Sequence, residues 1–177
     1  MSHLQPADIL SELSPMRRYA RSLTRDESAA DDVVQEALLK ALEKRNTFRP
    51  GGSVRAWLLA IVHNIFVSAQ RRVRAEERRD ARFAESMVDR IEPDQEYAAY
   101  LQEVAQAFAM LPDPQRAILH LIVVEGQSYQ EAAAILGIPI GTVMSRLSRA
   151  RVALRRAQTR EMRGQDKFRI VGGRGAD

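Results

Sequence analysis

Residues 128–156 read SYQEAAAILGIPIGTVMSRLSRARVALRR, two short helical stretches around a glycine. Ser128 and Glu131 have the spacing of a capping box, in which each side chain satisfies the other's backbone amide. The helix that follows puts Tyr129, Ala133 and Leu136 on one side. Gly137 stands where a left-handed helix terminator belongs, and Ile138 can plug the corner before a second helix opens at Ile140 or Gly141. Short helix, glycine corner and second helix make the spacing of a DNA-binding helix-turn-helix. At about 100° per residue, Val143, Leu147, Ala150 and Leu154 share a narrow core-facing sector. Ser145, Ser148, Arg149 and Val152 lie opposite, with Met144 on one flank. Arg149 suits a bidentate bond to a guanine edge, and serines donate or accept with little bias. Arg146, Arg151, Arg155 and Arg156 suit phosphates, which position a protein without reading sequence. A plain bundle corner is the competing reading, and the crowd of arginines just beyond the glycine argues against it.

Upstream, Asp113 reads as a cap and Pro114 as the first residue of a helix carrying Ile118, Leu119, Leu121 and Ile122 inward, ended by Gly126. Tyr97, Leu101, Val104, Phe108 and Leu111 form an amphipathic stripe ahead of it. Between 75 and 95 the apolar period weakens, charges of both signs crowd in, and Glu92-Pro93-Asp94 closes what reads as a flexible linker. The first unit begins with a short helix opened by Pro15, running through Tyr19 and Leu23 and stopping near Thr24. A second helix runs from 27 or 28 to 45, acidic at its start (Asp26, Glu27, Asp31, Asp32) and basic at its end (Lys40, Lys44, Arg45), as the helix dipole favours. Val34, Ala37, Leu38, Ala41 and Leu42 supply its buried stripe. Residues 48–53, FRPGGS, signal a turn with Ser53 as the next N-cap. From Val54 a long helix extends through Arg74, its AWLLAIV half apolar on most sides and its QRRVRAEE half charged. Trp57 is assigned to the core, and His63 is expected exposed or partly buried.

The chain has 177 residues, a net charge of +4 and no cysteine, which excludes disulfides, thiolate metal sites and a cysteine nucleophile. His3, His63 and His120 lack metal-ligand spacing, so neither a metal nor another cofactor is expected. No nucleophile set, phosphate loop or paired carboxylate site is evident, so an enzyme is not expected. The opening MSHLQPADIL lacks the order of a secretory signal, and no apolar run nears the roughly 20 residues of a membrane helix. A soluble, cytoplasmic, all-α protein is expected. Acidic residues gather early and the stretch 146–174 is strongly basic, which suggests a protein-facing surface at one end and a nucleic-acid surface at the other.

Residues 128–151 resemble the promoter-binding helix-turn-helix of extracytoplasmic-function (ECF) sigma factors of bacterial RNA polymerase, in the sigma-70 family. Leu111-Pro112 followed by Gln115-Arg116 is similar to the opening of that sigma-4 domain. Independently, residues 30–42, ADDVVQEALLKAL, resemble the sigma-2 helix that grips the polymerase clamp, and 48–53 with Arg55-Ala56-Trp57-Leu58 through Asn64 resemble the promoter-melting part. The resemblance covers about residues 13–156. It implies an N-terminal tail (1–12), a sigma-2 domain (13–74), a linker (75–95), a sigma-4 domain (96–158) and a basic C-terminal tail (159–177). It implies core RNA polymerase, through the clamp of its largest subunit, promoter DNA at −10 and −35, and an anti-sigma factor as partners in a stress or signal response.

Asp32, Gln35, Glu36 and Leu39 share the side of their helix away from the core stripe and fit the clamp contact; a merely solvated acidic face is the alternative. Phe48 and Asn64 correspond to the pocket for a base flipped from the −10 element. Arg49, Arg55, Arg71 and Arg72 are candidates for single-strand contacts, while Phe48 equally suits a core aromatic closing its loop. Thr142, Met144, Ser145, Arg146, Ser148 and Arg149 fall on the −35 reader. Two departures stand out: Pro139 replaces the usual serine cap, and Met144 replaces a common basic residue, exchanging a polar contact for an apolar one such as a thymine methyl. The tail beyond Arg156 suits disorder or nonspecific DNA affinity. A different class, a sigma-like decoy that only binds an anti-sigma factor, has no need for Arg146, Arg149 and Arg151.

Overall fold

The computed structural model describes residues 4–77 and 104–165, and its ordered elements are all helical. Three helices make the body of the first module: α2 (Leu13–Thr24), α3 (Glu27–Lys44) and α4 (Val54–Glu77), preceded by a short α1 (Pro6–Ser11). Met16, Tyr19 and Leu23 of α2, Val34, Ala37 and Ala41 of α3, and Leu58, Leu59 and Val62 of α4 are buried together. The stretch 1–12 was expected as a tail. Instead Pro6 sits in the first turn of α1 and the helix buries Ile9 against the bundle, leaving Leu10 exposed. Pro15 lies two residues inside α2 rather than opening it, within the first turn, where proline's missing N–H costs no helical bond. Asp26 caps α3 by accepting from the Ala29 amide at 2.6 Å. The buried stripe of α3 is shifted from expectation at two positions: Val33 is buried and Leu42 is exposed. Alanines 30, 37 and 41 are covered, and Val33, three residues from Ala30 and four from Ala37, falls in the same sector.

The second module runs from a helix at 104–109 (α5) through α6 (Asp113–Leu119), a wide π-type turn (His120–Val124), α7 (Tyr129–Leu136) and α8 (Ile140–Gln165). Asp113 does not cap α6: Pro112 does, through its carbonyl, which accepts from the Gln115 and Arg116 amides at 2.9 and 3.0 Å. The α6 helix also stops short of Gly126, because His120–Val124 widens into the π turn. Ile118, Leu119 and Leu121 are buried as expected, with Val143, Leu147 and Ala150 of α8 facing the same core. Tyr97, Leu101, nearly all of the stretch read as a linker and the last tail residues, 166–177, lie outside the described residues. The α8 helix itself continues through Gln165.

The two modules lie directly against each other, α7 on α4 and the α6 end on α2. Arg116, almost fully buried, donates to the Ser22 and Leu23 carbonyls at the carboxyl end of α2 and to the Leu111 carbonyl of its own module. Gln70 of α4 donates to Asp113 at 2.6 Å, and Arg25 reaches the Ala109 carbonyl at 3.3 Å. The Glu125 carboxylate is clasped by Arg18 at 3.1 Å and by His120 at 3.2 Å.

Candidate nucleic-acid interface

The helix-turn-helix forms as its residues dictate. Ser128 Oγ accepts from the Glu131 amide at 3.2 Å while the Glu131 carboxylate accepts from the Ser128 amide at 2.8 Å. Hydrogen bonding of the Glu131 carboxylate to the Ser128 backbone amide first, and to the Ser128 side chain second, holds it below the usual carboxylate range. Gly137 takes φ 62, the left-handed region glycine enters at no steric cost, and the Ile138 amide then donates back to the Ala133 carbonyl at 3.1 Å. With Pro139 in place of a serine, the start of α8 rests on the proline carbonyl, which accepts from the Thr142 and Val143 amides at 2.9 and 3.2 Å. Tyr129, expected inside, is instead partly exposed, and Ala132 and Ile135 are the buried pair of α7. The α7 helix packs on α4 as well as on α8, so its covered sector is broader and turned relative to a simple stripe.

On α8, Met144, Ser145, Ser148 and Arg149 are exposed, and Thr142 and Arg146 are half-buried at the edge of the same face. The Ser145 hydroxyl donates to the Thr142 carbonyl at 3.1 Å, leaving its lone pairs as acceptors toward solvent. Beside this face, Tyr129, Met144, Ser148, Arg151 and Arg155 rim a hollow of about 290 Å³. Arg151 and Arg155 therefore stand one row behind the serines, a placement that suits backbone phosphates rather than base edges. Tyr129 was missed as a rim residue because its position on α7 alone reads as core.

In the first module, Phe48 is half-buried with its ring edge-on to Trp57, centroids 5.6 Å apart. The loop behind it is tight. The Gly52 amide donates to the Arg49 carbonyl at 3.1 Å, and a Cβ at Gly52 would meet that carbonyl at 3.2 Å. Ser53 Oγ accepts from the Ala56 amide at 3.1 Å, capping α4 as expected. Arg49, Asn64, Arg71 and Arg72 are exposed. Arg55 is engaged elsewhere: its guanidinium pairs with Glu12 at 2.7 Å, and that hydrogen bond raises its pKa. At 1.5 Å per residue, Asn64 stands about 15 Å and Arg71 about 25 Å along α4 from the loop. These residues thus form a track rather than one pocket.

Asp32, Gln35, Glu36 and Leu39 are all exposed on α3, with Leu39 64% exposed and Glu36 paired to Lys40 at 2.8 Å. Asp32 and Glu36 also wall a groove of about 490 Å³ between α3 and α4, floored by Val33, Ile65, Phe66 and Val73. The groove was not foreseen. Val73, an apolar residue in the charged half of α4, was its one signal. Among the described residues no cluster of histidines and carboxylates suits a metal, and no helix is long and apolar enough to cross a membrane.

Residues 101–154 match the family model for region 4 of sigma-70, and residues 9–63 match that for the Sigma2 domain of PhyR. The chain is 40% identical over 148 residues to the ECF RNA polymerase sigma factor EcfG of Rhodopseudomonas palustris, covering 83% of this chain and 81% of that protein. It is 39% identical over 133 residues to the ECF RNA polymerase sigma factor SigC of Mycobacterium tuberculosis, covering 73% and 70%. It is similar to the sigma factor RpoE of Bartonella quintana, solved in complex with the anti-sigma factor NepR, with a TM-score of 0.76 and 38% identity over 86% of this chain and 95% of that one.

Proposed function

The chain belongs to the ECF RNA polymerase sigma factors, and from that we propose how its two modules divide the work of starting transcription. As an alternative sigma factor it directs bacterial RNA polymerase to promoters. The exposed α3 face of Asp32, Gln35, Glu36 and Leu39 docks on the clamp of the largest subunit. The loop at Phe48 and the α4 track through Asn64 to Arg72 receive the opened −10 strand, and α8 reads the −35 element. The observation that carries this reading is the pairing, in one chain, of an exposed acidic face on α3 with an exposed serine and arginine face on α8. The chain supplies contacts and no covalent step, and works in the cytoplasm beside its polymerase. Run-off transcription with purified core polymerase over a promoter library tests it: specific starts are expected, and their absence overturns it.

Phe48 packs edge-on with Trp57, which fits the core alternative, and as a half-buried ring it would still offer a stacking surface to an unstacked base. On α8, Arg149→Ala is expected to cost about 1–3 kcal/mol in discrimination between cognate and mutated −35 sites. Competition binding checks this, because a contact to phosphate alone would weaken every sequence equally. Asn64→Ala is expected to impair strand opening more than closed-complex binding, since capturing an unstacked base favours melting. Permanganate reactivity of −10 thymines reads that step directly.

The complex of RpoE with NepR supports control of this chain by an anti-sigma factor. The match of residues 9–63 to the Sigma2 domain of PhyR favours a second reading, a decoy for such an inhibitor. The exposed Arg149 and half-buried Arg146 on α8 weigh toward promoter binding, which a decoy does not use. Inhibitor binding without any specific start would establish the decoy.

A further inference from the structure

The seam between the modules is built from titratable groups. Tyr19 of α2, fully buried, lies between two imidazoles: its hydroxyl bonds His63 Nδ1 of α4 at 3.1 Å, and its ring lies 5.5 Å from that of His120 across the seam. His120 Nε2 meets Glu125 Oε1 at 3.2 Å, and Phe108 of α5 flanks the same imidazole at 6.4 Å between ring centres. The Glu125 side chain has no exposed surface and already receives both Arg18 bonds from α2 at 3.1 Å. A further pair, Glu12 with Arg55, lies close enough for Arg55 to feel the Glu125 charge.

We propose that closure of the two modules is proton-gated: buried Tyr19, His120 and Glu125, with half-buried His63 beside Tyr19 and exposed Arg18 at the rim, form a seam that holds while both imidazoles are neutral and parts when they charge. Charge accounting motivates this. Arg18 neutralises Glu125, and Glu12 neutralises Arg55, so the seam is balanced with neutral histidines. A proton on His120 asks one carboxylate to serve two cations. A proton on His63 places a charge against a phenol oxygen with no carboxylate in contact. Burial lowers both pKa values, His63 to about 4, and the pull of Glu125 only partly offsets this at His120. Burial raises that of Tyr19, which stays a phenol.

The sign follows. A base whose pKa is depressed in the closed form stabilises closure above its free value near 6.5 and loses that stabilisation as pH falls toward the depressed value. From pH 7.5 to 5.5 the open fraction should rise by up to about tenfold through His63, with a further rise in the same direction from His120. Asp113 and Glu131, both held below the ordinary carboxylate range, stay ionised throughout that interval. Parting matters for promoters because −10 and −35 stand about 25 base steps, roughly 85 Å, apart on B-form DNA. A compact chain of this length has a radius of gyration of about 16 Å and spans roughly 40 Å, so the closed form cannot engage both.

Because the sequence has no cysteine, dyes at E43C and Q130C report on one module each. Energy transfer is measured on the isolated chain from pH 7.5 to 5.5 with circular dichroism alongside. The expected result is falling transfer at constant helicity in the parent and a flat response in H63Q/H120Q, whose glutamines keep donors but cannot charge. Unchanged transfer in the parent, the same fall in the double variant, or a fall only together with helix loss would overturn the proposal. No polymerase enters the measurement, so its failure leaves the promoter reading standing, and failed run-off leaves the gate standing.

Discussion

Glu36→Arg is expected to abolish promoter-directed transcription while the protein remains folded. Glu36 is exposed on α3, one wall of the groove against α4, and among the described residues it pairs with Lys40 at 2.8 Å. An exposed i,i+4 pair of this kind contributes about 0.3–0.5 kcal/mol, and the like-charge pair that replaces it costs a similar amount. That is too little to unfold a domain, and the exposed Glu36 side chain is not part of its core. At a protein interface the same reversal sets like charges against each other, which costs several kcal/mol and slows encounter as well. The expected result is a loss of at least a hundredfold in affinity for core polymerase, with thermal stability within a few degrees of the parent. Fluorescence anisotropy of labelled protein titrated with core enzyme measures the first quantity, and a melting curve the second. Near-parental affinity would move the clamp contact off this face of α3.

What the sequence disclosed and what it hid divide along a physical line. The elements whose ends are set by local chemistry were readable: the Ser128–Glu131 box, the left-handed Gly137 and the Ser53 cap are each specified by neighbours within a few residues. The core face of α8 was readable too, because Val143, Leu147 and Ala150 repeat at the helical period and all are buried. Features made by packing between distant segments were not. Tyr129 looks like core until α4 is seen covering α7 from the other side. Arg55 looks like a free cation until Glu12, forty-three residues away in sequence, takes it. His120, Glu125 and Arg116 carry no local signal of their roles across the seam, since there they meet Tyr19, Arg18 and the Ser22 and Leu23 carbonyls of α2. Site residues on one helix face, such as Asp32, Gln35, Glu36 and Leu39, therefore came out together, while the seam between modules came out only from three-dimensional neighbours.

Arg116→Met is expected to give the largest loss of stability of any single change in the seam. Its guanidinium is 1% exposed and spends its donors on both modules: the Ser22 and Leu23 carbonyls, the Leu111 carbonyl, and Asp113 at 2.6 Å. Ser22 and Leu23 lie in the last turn of α2, where carbonyls have no partner within their own helix and the dipole favours a cation. Methionine fills comparable length but donates nothing, so buried carbonyls are left orphaned and Asp113 loses its cation. Breaking a buried charge pair from one side costs about 3–5 kcal/mol. For a chain of this size that lowers the melting temperature by roughly 6–20 °C. Arg116→Lys keeps the charge but not the planar fork, and should recover only part of the loss. The pH dependence gives a separate check. Burial works against the Asp113 carboxylate, but the bonds from Gln70 and Arg116 outweigh it and hold its pKa below the usual value. A depressed carboxyl contributes stability above its unfolded pKa near 4 and loses it as pH falls below that value. Removing Arg116 should therefore flatten the acid limb of the stability curve as well as lower its plateau. Urea unfolding of both proteins from pH 7 to pH 3 reads the two effects together. A variant as stable as the parent at pH 7 would mean that the seam rests on apolar contact, with the guanidinium a passenger.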